Sequence, residues 1–389
     1  MKTAIATTVV VGGGGWWGWR RGAFLTDKDE VYEPWETWKE GEKHLRLVNA
    51  AVLAASKHNT QPWRFRVDPP LLDVAFDVDR NVGSLDPFRQ ETYFSVGCAM
   101  ANLLLAAEAE GFATKIRWFP DPELKNWIAQ LNVEPVEGTS ASDLYNAIPA
   151  RHTNRGPYKL AIGVPGEAVD RMSLIAMQEC LTAPVWLTQP ADQQKFRALT
   201  VAATEQIISD QQQSEDNGLW YRTHWSDVEQ SGDGLTLDAL QMSSGRRLRE
   251  KIFQAPTAAT LDQQWLAATR DVQLATAPLF GILTVRDPND PQQLVMAGIA
   301  WQKMHLRATL DGLAAQPLTQ TIERMNLEKS RNLEPAIGGP LRELTGSAGE
   351  PVFAFRIGVP VGPGRTSPRR PVKSVLAKLE TKRKQSRSA

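Results

Sequence analysis

Residues 56–63 read SKHNTQPW. They begin at the end of a run, residues 44–57, whose apolar side chains recur at helical spacing. Ser56, Asn59 and Gln61 supply small hydroxyl and amide groups that suit the mixed donor and acceptor edge of a heterocycle. The proline fixes the local backbone and the tryptophan adds an apolar wall. The same letters also fit the end of a helix and a turn before a strand.

A second polar string, residues 151–155, reads RHTNR after the helix-like run SDLYNAIPA. Arg151 and Arg155 flank Thr153 in this string. Guanidinium groups bind phosphate oxygens in pairs of hydrogen bonds, and a hydroxyl can complete the shell. The residue types therefore predict a phosphate cradle.

The rest of the chain mixes strands and helices. Strands are predicted at residues 63–67, 71–78, 113–119, 183–189, 279–287 and 353–359, and helices at residues 44–57, 91–111, 193–212 and 292–315. The helix at 91–111 is apolar on nearly all sides, which is typical of a buried helix. Because strand–helix–strand units do not alternate regularly, the pattern predicts an α+β fold.

Two of these helices can be aligned at an offset of 201 residues (298 minus 97), which sets Gly97 on Gly298. The identical pairs at this offset are Gly97/Gly298, Ala99/Ala300, Leu105/Leu306, Ala107/Ala308, Gly111/Gly312 and Ala113/Ala314. A repeat of this length would make the chain a covalent pseudo-dimer. Small residues at these positions would let the two helices approach closely.

Together the strings resemble the nitroreductase flavoproteins, whose early motif runs P-S-x-x-N-x-Q-P-W after a helix. The matching residues are Ser56, Asn59, Gln61, Pro62 and Trp63, with Ala55 in place of the usual first proline. RHTNR resembles the R-x-S-x-R element near the start of a classical subunit. The order of the strings over roughly residues 44–373 resembles the Acg branch, in which one chain imitates the usual homodimer. The resemblance implies an α+β nitroreductase-like fold formed by internal duplication.

The same resemblance implies that FMN is the cofactor and that the hydride chemistry takes place on the flavin. No catalytic side chain is then required. The residues expected to bind FMN are Ser56, Lys57, His58, Asn59, Gln61, Arg151, His152, Thr153, Arg155, Arg369 and Arg370. Lys57 or His58 could tune the redox potential as a cation near the flavin ring. His58 and His152 fit a purely structural role equally well.

The arginine pair Arg369 and Arg370 follows the strand-like run FRIGV and corresponds to a basic pair that reaches the FMN phosphate in the family. The pair could also begin a solvated basic tail, because charge runs usually stay in solvent. Residues 365–389 hold nine Lys or Arg and one Glu, a net charge of +8. The formal net charge of zero is therefore a balance between this end and an acidic body.

The implied activity is an oxidoreductase of nitroreductase type, which passes electrons from NAD(P)H through FMN to a nitro, quinone or similar acceptor. The alternative is a lid-covered FMN-binding or sequestering protein with little turnover. The insertion at residues 211–253 is the predicted lid, since long polar insertions often cover sites. Its aromatic residues Trp220, Tyr221 and Trp225 would cover the flavin face.

The resemblance and the composition suggest four segments. They are an amino-terminal targeting or anchor segment and linker at 1–40, a first nitroreductase-like half at 41–147, a second half at 148–373 that carries the insertion, and a basic tail at 374–389. The linker carries Trp35 and Trp38 as expected anchors. Gly13, Gly15 and Gly18 match a dinucleotide fingerprint, but no helix follows them and the match is rejected.

The uncharged stretch at residues 3–19 has the length of a signal core or a marginal span, so a periplasmic or membrane-anchored location is slightly favoured over the cytoplasm. No arginine pair precedes it, and twin-arginine export is therefore doubtful. A net charge of zero argues against nucleic acid as a partner. Five histidines and two cysteines without ligand spacing argue against a metal site and a disulfide framework. The expected partners are small electron donors and acceptors, bound by a pseudo-dimeric monomer.

Overall fold

The computed structural model describes residues 29–252 and 256–376. The strands are β1 (Trp63–Asp68), β2 (Leu71–Phe76), β3 (Phe112–Trp118), β4 (Trp127–Pro135), β5 (Val185–Leu187), β6 (Tyr221–Arg222), β7 (Leu235–Thr236), β8 (Leu279–Val285), β9 (Ala314–Pro317) and β10 (Glu350–Gly358). The amino-terminal stretch 3–19 and the tail after Leu376 lie outside the described residues.

Helices precede, connect and cover these strands. They are α1 (Pro34–Thr37), α2 (Lys43–Val52), α3 (Gln90–Ala109), α4 (Asp143–Asn146), α5 (Gly166–Cys180), α6 (Pro190–Ser209), α7 (Gln211–Gly218), α8 (Trp225–Ser231), α9 (Ser244–Ile252), α10 (Ala258–Ala268), α11 (Pro291–Leu310), α12 (Gln320–Ser330), α13 (Gly338–Thr345) and α14 (Val372–Val375). A π-helical turn, Thr269–Leu274, continues α10.

Two four-stranded antiparallel sheets form the frame, and a small parallel pair, β6 and β7, belongs to the insertion. The first sheet has the order β1-β2-β4-β3 and the second the order β5-β8-β10-β9. In each sheet, the first two strands come before a long helix and the last two come after it. The expected α+β fold is confirmed, and its two sheets share one strand order.

The long helices α3 and α11 pack against each other at two glycines. A Cβ on Gly97 would lie 2.0 Å from the Val295 carbonyl oxygen, and one on Gly298 would lie 2.0 Å from the Phe94 carbonyl oxygen. The two backbones therefore touch where side chains would normally separate them. In the described part of the chain, only α3 is long and apolar enough to cross a membrane, and it is mostly buried in the protein core.

Several predicted bounds were too long, and local turns explain why. The helix predicted at 193–212 ends at Ser209, because Asp210 caps the next helix by accepting from the Gln213 amide at 3.2 Å. The helix predicted at 292–315 ends at Leu310, where Gly312 with φ +71° turns the chain into β9. The linker anchors Trp35 and Trp38 are both buried.

Candidate functional site

A cavity of about 650 Å³ is lined by residues from the 56–63 string, the 151–155 string and the segment that contains Arg369. Those residues are Ser56, Lys57, His58, Asn59, Arg151, His152, Thr153, Arg155, Ser367 and Arg369. The structure thus brings together every predicted cofactor-binding residue except Gln61 and Arg370. Residues separated by more than 300 positions meet in one concave site, which is where small-molecule sites are usually found.

One end of the cavity holds two buried guanidinium groups. Arg151 Nη2 and Arg369 Nη2 donate to the same acceptor, the Leu53 carbonyl oxygen, at 3.2 and 3.3 Å. Nε and Nη1 of Arg151 and Nε of Arg369 are buried without a hydrogen-bond partner among the described residues. This arginine end therefore has donors that the described residues do not satisfy.

No carboxylate in the described part of the chain forms an ion pair with Arg151, Arg155 or Arg369. Burial lowers the pKa of Arg151 to about 10 and lowers the pKa of Arg369 well below its ordinary value. A buried cation without a counter-ion is costly, and two side by side cost more. The arginine end therefore carries buried positive charge that no described carboxylate balances.

Arg369 is surrounded by residues from both ends of the described chain. The guanidinium carbon of Arg369 lies 4.5 Å from the centre of the Trp35 ring, and Trp35 Nε1 donates to the Ser367 carbonyl oxygen at 2.8 Å. The His152 ring also packs against Trp35, with ring centres 4.8 Å apart. The linker tryptophan thus positions the arginine end, a role that sequence reasoning did not assign to it.

The string at 56–61 adopts an unusual backbone. His58, Asn59 and Gln61 have φ values of 47°, 55° and 49°, the left-handed region that L-residues rarely adopt. Such strain persists only where surrounding contacts hold it, and it often marks functional sites. Asn59 Nδ2 donates to Gly234 and Pro368 carbonyl oxygens at 3.3 and 3.0 Å.

Gln61 and Arg370 lie outside the cavity lining, which differs from the expectation that both bind the cofactor. Gln61 Nε2 donates to the Gly232 carbonyl oxygen at 2.9 Å, and Arg370 N donates to Gln61 Oε1 at 2.9 Å. The Arg370 side chain donates to the carbonyl oxygens of Gln61 and Ser374 at 3.1 Å each. Both residues fasten the strings to one another.

The opposite part of the cavity contains Lys57 and two glutamates. Lys57 Nζ is ion-paired with Glu323 and lies 3.3 Å from Glu91 Oε2. Burial lowers the pKa of Lys57, but the two carboxylates outweigh it and the pKa is raised overall. Lys57 is therefore a paired cation, not the lone cation that was expected to face a flavin ring.

The two site histidines are neutral at physiological pH. Burial and the nearby Lys57 charge hold the pKa of His58 well below its ordinary value, and His58 Nε2 lies 2.7 Å from Asn217 Oδ1. Burial, with Arg151 and Arg369, lowers the pKa of His152 to about 3. Without a bound anion, neither ring carries a charge near neutral pH.

The insertion forms one wall of the cavity, but two of its three expected cover residues do not line it. Tyr221 lines the cavity. Trp220 and Trp225 are buried elsewhere, Trp220 with its Nε1 donating to the Asn81 carbonyl oxygen at 3.1 Å. Their burial anchors the insertion onto the fold.

One face of α3 sets the length of the cavity. Glu91, Phe94, Ser95 and Cys98 line it at the spacing of a single helix face. The rise of an α-helix puts Glu91 about 10 Å along the axis from Cys98. The charge on Arg151 acts on Cys98 and the charge on Lys57 acts on Glu91, so the arginine end and the glutamates lie at opposite ends of this face.

Sequence reasoning missed three residues of this region. Glu91 and Glu323 line the cavity, and Arg356 donates to the Gly156 carbonyl oxygen at 2.6 Å behind the 151–155 string. A signal existed for two of them, since Glu91 and Arg356 are charges within otherwise apolar, buried elements. No local signal marks Glu323, because its role depends on which helix it faces.

No family model matches the chain, but three proteins of Mycobacterium tuberculosis (strain ATCC 25618 / H37Rv) are similar to it. "Putative NAD(P)H nitroreductase Rv3131" is 28% identical over 335 residues, which are 85% of this chain and 90% of that protein. The chain is nitroreductase-like in sequence. "Putative NAD(P)H nitroreductase acg" is 23% identical over 349 residues, 85% of this chain and 93% of that protein. "Uncharacterized protein Rv3127" is 24% identical over 362 residues, 87% of this chain and 94% of that protein.

The described residues contain no group of three or more His, Cys, Asp or Glu that could hold a metal ion. The cavity lining holds arginines, amides and hydroxyls, and it also holds Lys57, two histidines and the carboxyls of Glu91, Glu323 and Asp271. The two arginines of the arginine end, which form no ion pair with a described carboxylate, are the groups that suit an anionic part of a ligand.

Proposed function

We propose that the chain is an FMN-dependent NAD(P)H oxidoreductase of nitroreductase type. The observation that carries this proposal is the arginine end, where Arg151 and Arg369 leave buried donors unsatisfied and no described carboxylate neutralises them. A phosphate would satisfy both the charge and the donors. The similarity to proteins named as NAD(P)H nitroreductases supports flavin and a nicotinamide donor as the matching chemistry.

In this proposal, Arg151 and Arg369 would hold the FMN phosphate, with the Thr153 hydroxyl beside them. Ser56, Asn59 and Arg155 would address the ribityl chain and the ring. Bound FMN would accept and donate the hydride, so the protein contributes binding, orientation and electrostatics. The distance of about 10 Å along α3 separates a phosphate end from a ring end.

The purified protein is expected to take up FMN in a 1:1 ratio and to turn yellow. Steady oxidation of NADH or NADPH is expected when a quinone or nitroaromatic acceptor is added. Absorption spectra and a titration of flavin fluorescence measure binding, and nucleotide absorbance measures turnover. A protein that binds no FMN at micromolar concentration would contradict the proposal.

We further infer that the chain is an internal duplication of the Acg type, with halves at 41–147 and 148–373. The shared strand order of the two sheets supports this inference. The contacts of Gly97 and Gly298 are also reciprocal, since Val295 and Phe94 each precede one of these glycines by three residues. Such reciprocity is the signature of a two-fold relation between two similar surfaces.

A second candidate, an FMN-binding protein with little turnover, is favoured by one observation. The insertion is fastened to the site, because Asn59 and Gln61 bond to its Gly234 and Gly232 carbonyl oxygens. A fixed wall with Tyr221 in it could exclude donor and acceptor from a bound flavin.

Replacing Tyr221 with alanine separates the two candidates. If the wall blocks access, turnover with NAD(P)H and a quinone should rise severalfold in Tyr221→Ala, because the ring that fills the cavity is gone. If the protein is an open oxidoreductase, turnover should stay the same or fall. Trp220→Phe is the matched control, because Trp220 is buried outside the cavity lining.

A further inference from the structure

The end of the cavity that the proposal assigns to the flavin ring is formed by Lys57, Glu91 and Glu323. These three residues are named here the carboxyl cluster. Lys57 comes from the 56–63 string, Glu91 from α3 and Glu323 from α12. All three line the cavity, and the lysine is ion-paired with both glutamates. One ammonium thus faces two carboxyls, so the cluster carries an excess negative charge if both are ionised.

Both carboxyls are buried, with Glu91 5% and Glu323 2% exposed. Glu323 Oε1 accepts from Lys57 and, at 2.6 Å, from the Thr319 hydroxyl, whereas Glu323 Oε2 has no hydrogen-bond partner among the described residues. Excess charge is expensive in such surroundings. A carboxyl beside a single ammonium that already pairs with another carboxyl is favoured in its protonated form.

The other groups facing Glu91 do not remove this excess. Asp86, in the turn before α3, adds a negative charge and accepts from the backbone amides of Glu91 and Thr92 at 3.1 and 2.9 Å. His58 is neutral. Burial raises the pKa of Glu91 to about 8, with Lys57 opposing this shift and Glu323 and Asp86 adding to it.

Resting on the proposed function, we propose that Glu91 holds a proton beside Lys57 and Glu323 and donates it to the acceptor that is reduced in the cavity. A quinone or nitroso acceptor gains two electrons and one proton as hydride, which the nicotinamide donor supplies through the bound flavin. The second proton leaves the O–H of Glu91 and bonds to the acceptor oxygen. The carboxylate left behind is stabilised by Lys57 and regains its proton from water.

Glu91→Gln keeps the shape of the side chain but cannot donate this proton, so quinone reduction by the FMN-loaded protein should slow about a hundredfold, a typical loss for a general acid. Reduction of ferricyanide takes up no proton and should be unchanged. In the unsubstituted protein, quinone reduction should be constant below about pH 8 and fall above it, because the donor must be protonated. In Glu91→Gln this decline should be absent.

Glu328→Gln is the matched control. Glu328 is also buried on α12, but it accepts from the Ile337 and Gly338 amides at 3.0 Å and does not line the cavity. If Glu91→Gln fails to fold, Glu323→Gln removes a negative charge that helps to keep Glu91 protonated, so the decline in quinone reduction should begin at lower pH. Equal quinone rates and an unchanged pH profile in these cluster variants would overturn the proposal.

An infrared pH titration gives a readout that does not need turnover. The flavin-free protein should show the carbonyl band of a protonated carboxyl at pH 7, which fades with a midpoint near pH 8 and is absent in Glu91→Gln. Absence of the band from the unsubstituted protein would exclude a proton on Glu91. If the protein binds no FMN, the proposed function fails, while this titration still decides whether Glu91 holds a proton.

Discussion

Replacing Arg151 with methionine is expected to weaken FMN binding by about 3 kcal/mol, or about a hundredfold in dissociation constant. The reason is that two nitrogens of Arg151 are buried and have no partner in the described chain, so a bound phosphate would provide their main interaction. Methionine keeps the apolar stem and removes only the charge. Flavin fluorescence titration measures the change.

The stability of the flavin-free protein should move in the opposite direction. Arg151→Met removes a buried cation that no described carboxylate neutralises, and such replacements are often neutral or stabilising. The free energy of unfolding in urea, measured without flavin, should therefore stay equal or rise. A loss of stability that accounts for the weaker binding would contradict the assignment.

Arg370→Met is the matched control for this prediction, because Arg370 is a buried arginine that lies next to Arg369 but outside the cavity lining. Its bonds are to the carbonyl oxygens of Gln61 and Ser374, so its loss should cost stability with little change in FMN affinity. If Arg370→Met lowers FMN affinity as much as Arg151→Met does, then Arg370 also contacts the phosphate and the assignment of the arginine end is wrong.

Gly97→Ala is expected to destabilise the protein by about 3 kcal/mol or more. The added methyl would meet the Val295 carbonyl oxygen at 2.0 Å, and a backbone atom inside a packed helix cannot move aside as a flexible side chain can. The two long helices would have to separate and leave voids along their contact. Urea denaturation measures the change.

Two further variants test the reason for this loss. Gly298→Ala should cost a similar amount, because its methyl would meet the Phe94 carbonyl oxygen at the same 2.0 Å. Gly339→Ala, in α13, has no atom within 4 Å of the new methyl and should be neutral or stabilising by up to about 1 kcal/mol. A mild effect at Gly97 would show that the helices do not touch as described.

The sequence alone predicted those parts of the site that are formed by short contiguous motifs. The strings at 56–61 and 151–155 are rich in polar residues and each follows a predicted helix. The structure places both at one cavity. The α+β pattern and the buried helix at 91–111 were also predictable, because apolar periodicity reports burial directly. Strand β4 was missed, although residues 127–135 alternate partly in burial.

The remainder of the site depends on contacts that no local pattern encodes. Glu91 and Glu323 meet only because α3 and α12 face the same cavity. Arg369 and Arg370 are adjacent in the sequence, but the Arg370 side chain donates to the Gln61 carbonyl oxygen and lies outside the cavity lining. Trp220 and Trp225 were assigned to the cover of a flavin because aromatic residues suit that role, but they also suit a core, and packing decided the matter.

The hydrogen bond between Trp35 and Ser367 joins residues 332 positions apart. During synthesis, Trp35 leaves the ribosome long before Ser367 and Arg369, so the anion end stays incomplete until almost all of the described chain has been made. Contacts of such long range close late in folding, because the chain between them must first be ordered. In the proposed function, FMN would therefore bind only after almost all of the described chain has been made.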